Sequence, residues 1–179
     1  GASGAGASTY VEPTVFMEVM GQPYEIITGY SGSSEIRAGM AAGEVDGISL
    51  DLDSVLPTIQ DGGAVGLVLM GASERSEDLP DVPLLRELDL TADQRASAEA
   101  LNALIEFGRT LVVHPDTDPA IIDLLSDTVE SILLSESFVA TAEEQGRPIG
   151  FASSAEVREQ VATILNAPAA FRDIVKKGY

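Results

Sequence analysis

Short β-rich runs alternate with helix-spaced segments through residues 1–70, and this alternation constrains the fold more than any other feature of the chain. Tyr24–Thr28, Val45–Leu50 and Ala64–Met70 read as strands. Between them, Tyr10, Val11, Val15, Phe16, Val19 and Met20 mark one amphipathic helix, with Ser8 or Thr9 as its N-cap. Glu35–Ala42 marks a second helix, capped by Ser33 or Ser34 and stopped at Gly43, and Ser54–Gln60 a third. Strands that alternate with helices predict an α/β fold: a mostly parallel sheet with helices on both faces.

The second half changes character. Ser73–Pro83 is polar and proline-punctuated, which suggests a connection across a surface or between lobes. Short helical spacing at Leu84–Leu88 is followed by a longer helix at Ala92–Phe107, capped by Thr91 and ended by Gly108. Arg109–Val113 reads as a strand. Asp116 or Asp118 then caps Pro119–Leu134, and helices follow at Glu136–Glu144, Ser154–Asn166 and Pro168–Lys176.

Charge excludes some partners. Twenty-nine acids against 10 bases give a net charge of −19, leaving no basic patch for nucleic acid or anionic lipid. No apolar run approaches the roughly 18 residues of a membrane span, so no direct membrane insertion is expected. With no cysteine and a single histidine, His114, neither a thiolate zinc site nor a multi-histidine metal site is available. His114 reads as a structural or exposed residue.

Two segments share a design suited to anions. Ser3–Thr9 and Gly29–Ser34 each consist of small residues, with hydroxyls and free N–H groups, leading into a helix. A helix N-terminus carries partial positive charge and unsatisfied donors, so it holds an anion without a cationic side chain. That matters because Arg37 is the only basic residue in 1–70. The same features also suit ordinary βα loops, which need glycine and caps. Gly4-Ala5-Gly6 is no dinucleotide fingerprint: the third glycine is replaced by Thr9, and the expected acid is not well placed, so no cofactor is expected. Asp46, Asp51 and Asp53 cluster near one strand end and read as solvated carboxylates. No catalytic constellation stands out.

Three stretches together resemble one family. They are Gly29–Glu35 followed by Gly43–Gly47; Leu79–Leu88; and Gly108-Arg109 through His114-Pro115, a helix, then Ser137-Phe138 through Gly146. Their order is similar to that of the extracytoplasmic solute receptors of tripartite tricarboxylate transporters, the Bug receptors, and the opening Gly1–Ser8 resembles the loop that begins their second lobe. The resemblance implies a two-lobed, type II periplasmic-binding fold that closes on a small carboxylate and delivers it to a membrane permease. Such a protein is a periplasmic receptor and not an enzyme.

Carried to this chain, the resemblance makes Ser3, Gly6, Ser8, Thr9, Tyr30, Ser31, Gly32 and Ser34 ligand-binding, with Ser49 and Asp51 lining the cleft. It makes residues 1–110 a complete second lobe and 111–179 a helical part returning to the first lobe. The family's N-terminal part has no counterpart here, so the chain reads as a piece of a longer molecule. Hinges are expected near Gly71–Ser76 and Arg109–Pro115. Two other readings stay open: an effector-sensing module of a transcription regulator, and an acid/base enzyme using Asp46 or Asp51.

Overall fold

A computed structural model describes residues 1–145 and 149–177. The expectation of an α/β fold with a mostly parallel sheet is corrected: 53% of the structure is helix and 2% strand, with no sheet among the described residues. The helical periodicity is realised nearly as read. The helices are α1 (Ser8–Met20), α2 (Ser33–Ala41), α3 (Leu52–Gln60), α4 (Ala92–Glu106), α5 (Pro119–Leu133), α6 (Glu136–Glu144), α7 (Ser154–Leu165) and α8 (Ala169–Lys177), with a 3₁₀ turn at Leu85–Glu87.

The expected strands form no ladder among the described residues. Two isolated parallel bridges occur among the described residues, Ala2 with Thr28 and Leu69 with Leu84. Leu69 accepts from Leu85 N–H and donates to Pro83 O, each at 2.9 Å, and the pairing goes no further. A sheet needs successive rungs on both sides of a strand. Here the runs meet at single points, and several of their apolar side chains stay in water. Val65 and Leu67 are 81% and 78% exposed, Leu111 and Val112 77% and 84%. The runs that read as strands do not form them, because β-pairing depends on distant partners that periodicity does not name.

The chain divides into two compact units, Gly1–Glu106 with Thr163–Tyr179, and Phe107–Ala162. The first is built on helices. Val11, Val15 and Val19 of α1 repeat every four residues and face Ala98 and Leu101 of α4 and Phe171 of α8, with Leu85 and Leu90 closing the cluster. Thus α8 packs with α1 and α4, although it starts 77 residues after α4's start. The expected hinge segment Gly71–Ser76 falls inside this unit, and Gly71 N–H donates to Asn102 Oδ1 of α4 at 2.8 Å.

In the second unit α5 packs on α6, and Ser126 and Ser154 pair their hydroxyls at 2.9 Å. Asp118 caps α5 by accepting from Ala120 N–H at 2.8 Å. A shallow groove is lined by Phe138, Thr141, Ala142, Gln145 and Ile149. Gly146, which ends the third resembling stretch, lies outside the described residues.

Candidate functional site

Two of the expected strand runs, Tyr24–Thr28 and Val45–Leu50, meet the first two residues. Ala2 N–H donates to Ile27 O at 2.8 Å and bridges Thr28 in parallel. The Gly1 nitrogen donates to Gly47 O at 3.0 Å. A Cβ at Gly1 would stand 3.1 Å from Ile36 and 3.3 Å from both Tyr30 and Val45, so glycine lets these runs close together. Beneath them Ala2, Ile36 and Val45 are buried. The bridged pair is followed on each side by a loop that opens a helix, Ser3–Ala7 before α1 and Gly29–Gly32 before α2.

The caps differ from those expected. Neither Ser8 or Thr9, nor Ser33 or Ser34, is an N-cap. The cap positions are Ala7 for α1 and Gly32 for α2, and neither helix start has a side-chain cap. Ser8 and Ser33 are instead the first helical residues. α3 and α6 also start without a side-chain cap, whereas α4, α5 and α7 have one. Thr91 and Gln94 form a reciprocal box at α4, and Ser153 and Glu156 do so before α7. The first-turn N–H groups of α1 and α2 therefore lack the side-chain oxygen that serves α4, α5 and α7.

The candidate hydroxyls have definite partners. Thr9 Oγ1 accepts from Ser3 N–H at 3.2 Å and pairs with Ser3 Oγ at the same distance. Gly6 has φ 79°, a left-handed conformation that favours glycine and turns the loop into α1. Ser49 Oγ donates to Glu12 Oε2 at 3.0 Å. Glu12 follows Thr9 by three residues and Ser8 by four, so it lies on the same side of α1. Ser3–Thr9 and Glu12–Ser49 are thus two hydrogen-bonded pairs along the start of α1, and the Asp51 charge acts on Glu12. Burial pushes the Glu12 carboxyl above the usual range; the Ser49 hydrogen bond opposes this and Asp51 adds to it. The sequence reading missed Glu12 as a site member, although its helical spacing from Ser8 and Thr9 was visible.

The second loop is more committed to the fold. Ser31 Oγ donates to Glu35 Oε2 at 2.7 Å, and Ser31 N–H bonds the same oxygen, which holds the Glu35 carboxyl below the usual range. Tyr30 Oη donates to Glu44 at 3.0 Å, and its ring lies over Gly39, so Tyr30 is packed along α2. Ser34 Oγ accepts from Arg37 at 3.4 Å, and the other Arg37 terminal nitrogen bonds Ser54 O. Asp51 is the N-cap residue of α3, with no side-chain cap bond. Asp46, Asp51 and Asp53 are exposed.

His114 is exposed, its Nδ1 3.7 Å from Asp116 Oδ2. No group of three or more potential metal ligands occurs among the described residues, and no described helix is long and apolar enough to cross a membrane. No protein-family profile matches the chain, and no curated protein matches it.

Proposed function

We propose that this chain is a periplasmic solute receptor that captures a small carboxylate and passes it to a membrane permease of the tripartite tricarboxylate type, without chemical conversion. The observation that carries the reading is the pair of helix starts, α1 and α2, that follow the runs joined at the Ala2–Thr28 bridge and have no side-chain caps. Ala7 and Gly32 offer no oxygen to the first-turn N–H groups, so an incoming carboxylate can accept from them. Ser3, Ser8 and Thr9 add hydroxyl donors on the α1 side, and Gly6 and Gly32 let backbone approach the ligand closely. Ser31 and Ser34 serve chiefly to shape the second loop, since Glu35 and Arg37 already engage them.

The geometry favours backbone over cationic side chains as the anion's partner. Arg37 is the sole base in 1–70, and Ser54 O and Ser34 Oγ already take its donors. Binding through amides is less demanding of ligand shape than a bidentate arginine clamp, which suits a receptor for a class of acids.

Calorimetric titration of the chain with succinate, citrate, glutamate and benzoate tests the proposal. Binding of at least one acid is expected, with the acid recovered unchanged. Substituting Ala7→Asp, which supplies an internal capping carboxylate at α1, should weaken that binding at least tenfold. An affinity that Ala7→Asp leaves intact, or conversion of the bound acid, would overturn the reading.

A further inference from the structure

Helix α5 is apolar on two adjoining sides, and its own unit uses one of them. Ile122, Ser126, Val129 and Leu133 are half-buried, and the Ser126–Ser154 hydroxyl pair at 2.9 Å ties this side to the start of α7. Ile121, Leu124, Leu125, Thr128 and Ile132 follow at helical spacing on the other side, and all five are exposed. The four aliphatic ones are between 44% and 65% exposed, and no residue of α5 is buried. Thr128 adds no polar demand to the stripe, because its hydroxyl donates to Leu124 O at 2.6 Å. Asp123, Asp127 and Glu130, the charged residues of α5, lie across the helix from the stripe.

We propose that this stripe is a self-association surface, on which a second copy of the chain lays its own α5 antiparallel to form a two-fold dimer. Three observations select a copy over another partner. The stripe carries no charge and no open side-chain donor, so it meets its own image without leaving a polar group unpaired. A cationic partner would need acids around the contact, and the three of α5 face away from it. The area also fits. The four aliphatic side chains leave roughly 400 Å² per chain in water, so pairing two stripes removes about 800 Å² of apolar surface. Homodimer contacts are about two-thirds apolar, so the whole contact comes to about 1,200 Å², the lower bound of specific interfaces. A contact of that size makes a dimer that exchanges with monomer.

Sedimentation velocity of the full chain, from micromolar to near-millimolar concentration, is the test. A reversible monomer–dimer equilibrium is expected, and it should tighten several-fold as added salt screens the −19 carried by each chain. Leu125→Glu should weaken the dimer by about tenfold or more, with helix content unchanged by circular dichroism. The chain has no cysteine, so a single introduced one reports position. Thr128→Cys should give a covalent dimer with a short bis-maleimide, and Asp123→Cys, on the far side of α5, should not. A chain that stays monomeric throughout, or that associates only with a different protein, overturns the inference. So does a dimer that Leu125→Glu leaves intact, or a crosslink formed equally well from position 123. None of these outcomes depends on whether the chain binds a carboxylate.

Discussion

Gly71 donates its N–H to Asn102 Oδ1 at 2.8 Å, and a Cβ at Gly71 would fall 2.2 Å from Ile105 Cγ2. Glycine is required here twice over, by the contact with α4 and by φ +67°. Gly71→Ala should destabilise the chain by about 2–4 kcal/mol, from overpacking and backbone strain together. Asn102→Ala, which leaves the Gly71 N–H unpaired, should cost about 1–3 kcal/mol. Urea unfolding of both variants measures the two effects.

Phe171 is 2% exposed and seats α8 against α1 and α4. Phe171→Ala should cost about 3–5 kcal/mol, and Leu101→Ala about 2–5 kcal/mol. Hydrogen exchange read at α1 should speed up in both variants, because the three helices share one core.

Gly39 lies under the Tyr30 ring, with 2.8 Å between its virtual Cβ and Tyr30 Cε1. Gly39→Ala should displace the ring and break the Tyr30–Glu44 hydrogen bond. The expected result is a changed near-ultraviolet circular dichroism signal with helix content retained.

Stability should fall in acid through Glu35, Glu87 and Glu156. Each is held below the ordinary value of 4.5, Glu35 by Ser31, Glu87 first by the Leu84 N–H, and Glu156 by Ser153. A carboxyl lowered in the folded state binds fewer protons there than in the unfolded chain. Its stabilisation is present above about 4.5 and is lost as pH falls through the folded value. Glu12 has the opposite sign: its contribution is whole below 4.5 and is lost as pH rises through its raised value. Melting temperatures against pH for wild type and Glu35→Gln should show the acid slope reduced in the variant, and Glu12→Gln should flatten the decline above 4.5.

Tyr24 should ionise late. Burial and the bond to Glu18 push it up to about 12, from an ordinary 10.0. Absorbance titration at alkaline pH should resolve one tyrosine near that value. Glu18→Gln should lower it, because the charge that opposes the phenolate is gone.

Much of the local structure was legible. Thr91 and Asp118 are the caps their sequences announce, and Glu136–Glu144 is the helix expected. Cap and helix signals act over three or four residues, so they survive without knowledge of the rest of the chain. The caps of α1 and α2 were misread because Ser8, Thr9, Ser33 and Ser34 are all good capping types, and only backbone geometry selects Ala7 and Gly32. The two candidate loops could be named from the sequence; the Glu12–Ser49 contact beside the first could not, because its partners lie 37 residues apart.

By itself the sequence determined where the helices run, that the chain is strongly acidic, and that no pair of cysteines or histidines is available to it. Only the tertiary structure decided that Val65, Leu67, Leu111 and Val112 belong to extended chain that forms no sheet, and that Glu12 meets Ser49 beside the start of α1. The division has a physical cause. Helical hydrogen bonds close within a turn, whereas a strand rung and a side-chain contact between distant segments each depend on how the whole chain packs.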